Sequence, residues 1–335
     1  CGSHVSLSSS HFGQNPGRHR SVPGSPLLVS FVSDDGHDER DELRLQTRVR
    51  RAMDDDVQPM SKQPLPPIVS AEHLTDRQDI VFCDVRWYLD RTPGRQKYNE
   101  GHIPGAIFVD LDEHLATLPR KSQGRHPMPA AASFAASMGA LGISHNTAVV
   151  AYDDSGGMSA GRLVWMLRIV GHDAALLDGG LQAWPTQLDT FPTVREAVDH
   201  PIREWPHELF ANADAAGRAG ETPDETLVDA RSPDRFSGEN EPVDPQAGHI
   251  PGAINLPFTA NLAESGYFRS PEQLRARFEN AGCVAGQATV MYCGSGVSAC
   301  HNLLAFEHAG LGTARLYAGS WSQWSNSDDR PVATD

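Results

Sequence analysis

Gly101-His102-Ile103-Pro104-Gly105-Ala106-Ile107 returns, residue for residue, as Gly248-His249-Ile250-Pro251-Gly252-Ala253-Ile254. Identity across a whole box, 147 positions apart (249 minus 102), marks a duplicated domain rather than a short solenoid repeat. The correspondence continues outward. Upstream, Val81-Phe82-Cys83-Asp84-Val85-Arg86 matches Leu227-Val228-Asp229-Ala230-Arg231, an apolar run that ends in Asp-x-Arg. Downstream, Ala148 to Asp153 matches Ala288 to Cys293, and Leu177-Asp178-Gly179-Gly180 with Trp184 matches Tyr317-Ala318-Gly319-Ser320 with Trp324. Within a copy, β-rich runs alternate with helical ones, as in Thr147 to Tyr152, Ser159 to Val170 and Ala174 to Leu177. Strand, helix, strand with short connections predicts an α/β fold in which each copy is a mostly parallel sheet with helices on both faces. Ligands of such sheets sit at the carboxyl ends of the strands, which directs attention to the loops after Tyr152 and Tyr292.

The rest of the chain is organised around these copies. Residues 1–66 are rich in Ser, Gly, His and Pro and end in Pro64-Leu65-Pro66-Pro67, so they read as a disordered tail, in which Asp41 to Met53 could form one marginal helix. The first copy is expected over 67–195, a linker over 196–215 and the second copy over 216–335. With 28 basic and 43 acidic side chains the net charge is −15, which disfavours binding to a phosphate backbone. No apolar run reaches the roughly 18 residues of a membrane span, and a cytoplasmic protein is expected. Five cysteines, at 1, 83, 283, 293 and 300, make an odd number without a Cys-x-x-Cys pair, so reduced thiols are expected and structural zinc has no support.

The copies diverge at the strand end. Asp153-Asp154-Ser155-Gly156-Gly157 in the first stands opposite Cys293-Gly294-Ser295-Gly296-Val297-Ser298 in the second. Cys293 leaves a strand, enters a Gly-rich loop and precedes a helix predicted to start near Ser298. Two glycines in four residues let backbone N–H groups turn inward as an anion nest, and a helix N-terminus adds partial positive charge. Such surroundings stabilise a thiolate, which marks Cys293 as a nucleophile. Cys83, Cys283 and Cys300 lack that setting and read as packing residues.

The Cys293–His301 segment, the two Gly-His-Ile-Pro-Gly-Ala boxes, and Gly319-Ser320-Trp321 with Trp324 together resemble the tandem-domain rhodanese family, the thiosulfate and 3-mercaptopyruvate sulfurtransferases. The resemblance spans about residues 68–330. It implies an inert first domain, with Asp153 in the place of the cysteine, and an active site between the domains. It further implies that Cys293 takes a sulfane sulfur from a small donor as a persulfide and passes it to a thiol, thioredoxin or cyanide, with no metal or organic cofactor. Ser295 and loop residues Gly294, Gly296, Val297 and Ser298 would line the site. Arg235 would hold the donor's anionic end, Arg231 would either join it or pair internally, and His102 would form a proton relay with Ser295 or simply cap the Ile-Pro-Gly turn.

Three departures bear on the donor. The mercaptopyruvate type tends to carry an arginine after Glu-Pro, where this chain has Val243. The loop Cys-Gly-Ser-Gly resembles that type, whereas Arg-Lys after the cysteine is usual for the thiosulfate type. Ala318 stands where Asp is usual. Two other classes compete. A cysteine phosphatase needs Cys-x5-Arg, and that position is Ala299. A duplicated scaffold that only binds a protein partner would have no use for the intact Cys293 loop.

Overall fold

The computed structural model describes residues 63–74, 77 and 79–334. Most of the predicted tail, with its Asp41 to Met53 helix and Cys1, lies outside the described residues. Residues 63–66 correct the tail's boundary. Leu65 is buried, and its N–H donates to Asp173 Oδ1 at 2.7 Å while its carbonyl accepts from Arg168 at 3.1 Å. An apolar side chain among three prolines is enough to anchor this segment.

The first copy forms a five-stranded parallel sheet from β1 (Ile68–Val69), β2 (Ile80–Asp84), β3 (Ile107–Phe108), β4 (Ala148–Tyr152) and β5 (Ala174–Leu177), in the order β1-β5-β4-β2-β3. The second forms a four-stranded parallel sheet from β6 (Thr226–Asp229), β7 (Ile254–Asn255), β8 (Thr289–Tyr292) and β9 (Arg315–Leu316), in the order β7-β6-β8-β9. Both central strands, β4 and β8, are buried along their whole length. Successive side chains therefore feed opposite cores. Val149 and Ala151 enter one cluster while Val150 and Tyr152 enter another, and Met291 and Val290 divide in the same way.

The helices are α1 (Gly94–Glu100), α2 (Leu111–His114), α3 (Ala131–Ala140), α4 (Ala160–Ile169), α5 (Ala213–Glu221), α6 (Pro233–Ser237), α7 (Pro271–Asn280), α8 (Ser298–His308) and α9 (Ser320–Trp324). On α5 the buried residues are Ala213, Ala216 and Ala219, one stripe at helical spacing that lies on the second sheet. This helix starts inside the expected linker, because Asn212 accepts from the Ala215 N–H at 2.8 Å and so caps it; the linker ends before 213. The helices that leave the two strand-end loops, α4 and α8, pack on each other and join both copies in one core. Gly161 permits the approach, since a Cβ there would stand 3.3 Å from the His301 backbone nitrogen.

The repeated boxes have a structural explanation. Asp84 receives the Arg86 guanidinium, which also donates to the Gly101 carbonyl at 2.7 Å; Asp229, Arg231 and Gly248 repeat this at the same distance. Tyr152 and Tyr292 hydroxyls accept from the N–H of Ile103 and Ile250. Each Asp-x-Arg therefore clamps the start of its own box, and each central strand holds the middle.

Candidate active site

Cys293 stands at the end of β8, 2% exposed, and lines a cavity of about 200 Å³. Its Sγ accepts from the Gly296 N–H at 3.1 Å. That contact needs the turn of the loop, because Gly296 has φ +76° and a Cβ there would meet the Ala318 carbonyl oxygen at 2.6 Å. The backbone of Cys293 is fixed from α9: the Cys293 N–H donates to Ser320 Oγ at 3.2 Å, and the Cys293 carbonyl accepts from the Trp321 N–H at 2.9 Å. Ser320 adopts φ +54°, a conformation costly for a residue with a side chain, where the matching residue of the first copy is Gly180 at φ +58°. In return the Ser320 hydroxyl accepts the Cys293 N–H, a contact that glycine could not make.

The first copy shows what such a loop binds. Asp153, at the position matching Cys293, accepts from the N–H groups of Ser155, Gly157, Ser159 and Ala160 at 2.7 to 2.9 Å. This is an anion nest already filled by a carboxylate.

Around Cys293 the first domain supplies what the second lacks. Ser295 Oγ is 2.7 Å from His126 Nδ1, and His126 Nε2 is 3.1 Å from Asp112 Oδ1. A carboxylate only accepts, so Nε2 carries the proton, and the Ser295 hydroxyl donates to Nδ1. Burial holds the His126 pKa below the ordinary histidine value despite the Asp112 contact. The imidazole is therefore neutral at neutral pH, with Nδ1 as its basic nitrogen against the Ser295 hydroxyl. Trp87 Nε1 donates to the other oxygen of Asp112, a residue whose side chain is 64% exposed and needs that second anchor.

Arg162, on α4, is wholly buried without a carboxylate. It donates to the carbonyls of Leu115, His126 and Gly296 at 2.9 to 3.1 Å. One cation thus ties the His126 loop of the first domain to the Cys293 loop of the second, and it adds positive potential near the sulfur. Breaking it would leave a cluster of buried carbonyls without partners, a cost of several kcal/mol.

Arg231, Arg235, Gly294, Ser295, Val297 and Ser298 line the Cys293 cavity together with Trp87, Leu89, Arg125, Met158 and Phe258, and Gly296 supplies its N–H to Cys293 Sγ. Ser298 begins α8 where the helix was predicted. Arg231 pairs internally with Asp229 at 2.6 Å and with Glu241 at 3.2 Å. Arg235 is held by Glu241 at 2.7 Å and Asp244 at 3.1 Å, rather than by neighbours on its own helix α6.

His102 is elsewhere. Its ring stacks on Tyr98 at 3.8 Å and its Nδ1–H donates to the Tyr98 carbonyl at 2.7 Å. His249 does the same with Phe236, at 3.7 Å and 2.8 Å. Both histidines brace the Ile-Pro-Gly turn, the second of the two readings of His102, and the histidine that contacts Ser295 is His126. The sequence signal was His126 itself: in the otherwise similar Gly124-Arg125-His126-Pro127 and Phe268-Arg269-Ser270-Pro271 loops the other copy has Ser270 at that place. Among the described residues, no group of three or more His, Cys, Asp or Glu is arranged to hold a metal ion, and no helix is long and apolar enough to cross a membrane. The four described cysteines are free and buried.

The model of the Rhodanese-like domain matches this chain twice, over residues 69–187 and 212–327. A probable 3-mercaptopyruvate sulfurtransferase of Pseudomonas aeruginosa is 42% identical over 280 residues, covering 80% of this chain and 98% of that protein. The 3-mercaptopyruvate sulfurtransferase of Homo sapiens is 38% identical over 262 residues, covering 74% of this chain and 85% of that protein. The solved 3-mercaptopyruvate sulfurtransferase from Leishmania major superposes with a TM-score of 0.69 at 32% identity, covering 81% of this chain and 77% of that one. A duplicated parallel sheet, a cysteine cradled at the second strand end and these matches lead to one assignment: the chain belongs to the rhodanese family, as a tandem-domain sulfurtransferase.

Proposed function

We propose that Cys293 carries sulfur from 3-mercaptopyruvate, with thiosulfate as a second donor, to a thiol acceptor such as thioredoxin, or to cyanide. The observation that carries this reading is the pair of matching loops. In Asp153 a charged oxygen lies two bonds beyond Cβ and receives N–H groups. In a Cys293 persulfide the outer, charged sulfur lies two bonds beyond Cβ at the equivalent strand end. The loop is thus suited to stabilise the intermediate by fixed donors, as an oxyanion hole does.

With mercaptopyruvate, the Cys293 thiolate attacks the donor sulfur and the donor C–S bond breaks. The electron pair leaves with the carbon fragment as the enolate of pyruvate, which takes up one proton. Ser295, His126 and Asp112 provide a path for that proton, His126 having first accepted the one on the donor thiol. With thiosulfate the S–S bond breaks, sulfite leaves with the pair, and no carbon needs protonation. In the second half-reaction an acceptor thiolate attacks the outer sulfur and Cys293 departs as thiolate.

Arg235 is the residue we assign to the donor's anionic end, and Gly294, Gly296, Val297 and Ser298 to the cradle; Arg231, with its partners already supplied, is assigned to holding Glu241 in place. A reducing, cytoplasmic setting suits a thiolate nucleophile among free cysteines. Mass spectrometry tests the reading. The wild type should gain one sulfur atom at Cys293 after incubation with either donor, and Cys293→Ser should gain none. A wild type that stays unmodified, or a serine variant that still gains sulfur, would refute it.

A further inference from the structure

Three guanidiniums approach the Cys293 cavity, and their commitments differ. Arg231 is used up by Asp229, Glu241 and the Gly248 carbonyl. Arg235 gives its Nε and one terminal nitrogen to Glu241 and Asp244. Its other terminal nitrogen stands 3.4 Å from where a Cβ on Gly294 would lie. Arg125 arrives from the first domain and bonds Asp244 through one terminal nitrogen. Its second terminal nitrogen stands 2.9 Å from the same point over Gly294, and its Nε is buried without a hydrogen-bond partner among the described residues.

A buried, unsatisfied donor on a cation is costly, so one at the mouth of a catalytic cavity points to a ligand that brings an acceptor. Asp244 shows the chemistry of that acceptor. Its Oδ1 faces Arg125 and its Oδ2 faces Arg235, a single carboxylate held between two forks from different domains. Glycine at 294 keeps the floor between the two guanidiniums open, next to the nucleophile.

We propose that Arg125 is a second donor-binding residue, which with Arg235 clamps the carboxylate of mercaptopyruvate, or the sulfonate-like oxygens of thiosulfate, above Gly294. This rests on the sulfur-transfer reading of Cys293. Donor binding then spans both domains, and the anionic end is fixed while its sulfur reaches Cys293. Arg125 is 27% exposed at its side chain, so it can adjust to the donor without unpacking the core.

Two measurements on the full chain test this, with Arg125→Ala and, to keep the length of the side chain, Arg125→Gln. The KM for mercaptopyruvate should rise about ten- to a hundredfold, the range of a lost charge-assisted hydrogen bond. Alkylation of Cys293 by anionic iodoacetate, relative to neutral iodoacetamide, should fall at least about fivefold as the anion loses a cation beside the sulfur. Either readout unchanged in both variants would overturn the role of Arg125. The alkylation ratio needs no sulfur transfer. A wild type that favours iodoacetate but turns over no donor would therefore refute the sulfurtransferase chemistry while leaving the anion clamp in place.

Discussion

The two glycines of the nucleophile loop should fail in opposite ways when each is given a methyl group. At Gly296, φ +76° costs an alanine about 1 to 2 kcal/mol, and its Cβ would meet the Ala318 carbonyl oxygen at 2.6 Å, backbone that cannot swing aside. Forcing the loop outward adds about 1 to 3 kcal/mol of overpacking, so Gly296→Ala should lose about 2 to 5 kcal/mol of stability in urea titration. The shift also carries the N–H away from Cys293 Sγ, where it now sits at 3.1 Å. Removing one fixed donor from a developing anion lowers turnover about 10²- to 10³-fold, and alkylation of Cys293 by neutral iodoacetamide at pH 7 should slow with it. Gly294→Ala meets something different. The nearest atom is the far end of Arg125, at 2.9 Å, which can move. Stability should stay within about 0.5 kcal/mol, while the KM for the donor rises as the guanidinium is displaced. If Gly296→Ala kept alkylation and turnover within about threefold of wild type, less than 1 kcal/mol of barrier, the loop N–H would not be what stabilises the sulfur anion.

Two further outcomes are expected. His126→Ala should lower kcat with mercaptopyruvate by about 10²-fold or more and with thiosulfate far less, since only the former must deliver a proton to carbon; equal losses with both donors would remove His126 from the relay. Burial holds His172 at about 4 and His301 at about 3, against about 6.5 in the unfolded chain. Both are neutral when folded, so their contribution is complete above pH 6.5 and is lost as pH falls toward those values, on the order of 2 kcal/mol each by pH 4.5. Urea titrations of wild type and His172→Gln between pH 7.5 and 4.5 check this, and an identical slope in both would refute it for His172.

Much of the fold could be read in advance because each copy is locally self-consistent. The Asp-x-Arg pairs, the boxes they clamp and the central strands that hold them are contacts within one copy, and the same chemistry must recur wherever the copy recurs. Of the two roles open to His102, relay or turn cap, the repeat favours the cap. His102 sits in a repeated box, and a residue repeated in both copies answers to a need that both copies share, here the bracing of a turn. The end of the tail and the start of α5 were missed for a smaller reason: one buried leucine between prolines and one Asn cap decide those boundaries, and neither leaves a periodic trace.

The site follows the opposite logic, because a duplicated fold can acquire chemistry only where its copies stop being equivalent. Asp153 fills its own nest with a carboxylate, so that strand end has no room for a persulfide. Cys293 leaves its nest open, and Ser320 in place of Gly180 adds the hydroxyl that fixes it. The loop over each strand end comes from the other copy, and these loops differ as well. From the first copy come His126 and Arg125, which reach Ser295 and Asp244. From the second comes Phe268, whose ring stacks at 4.6 Å on His301, while the His301 Nε2–H donates to the Gly156 carbonyl of the first copy's loop. Periodicity reports order within a strand or a helix and says nothing about which loop crosses to the other domain. The crossing is written instead in a single mismatch, where Arg125-His126-Pro127 faces Arg269-Ser270-Pro271 and His126 stands opposite Ser270.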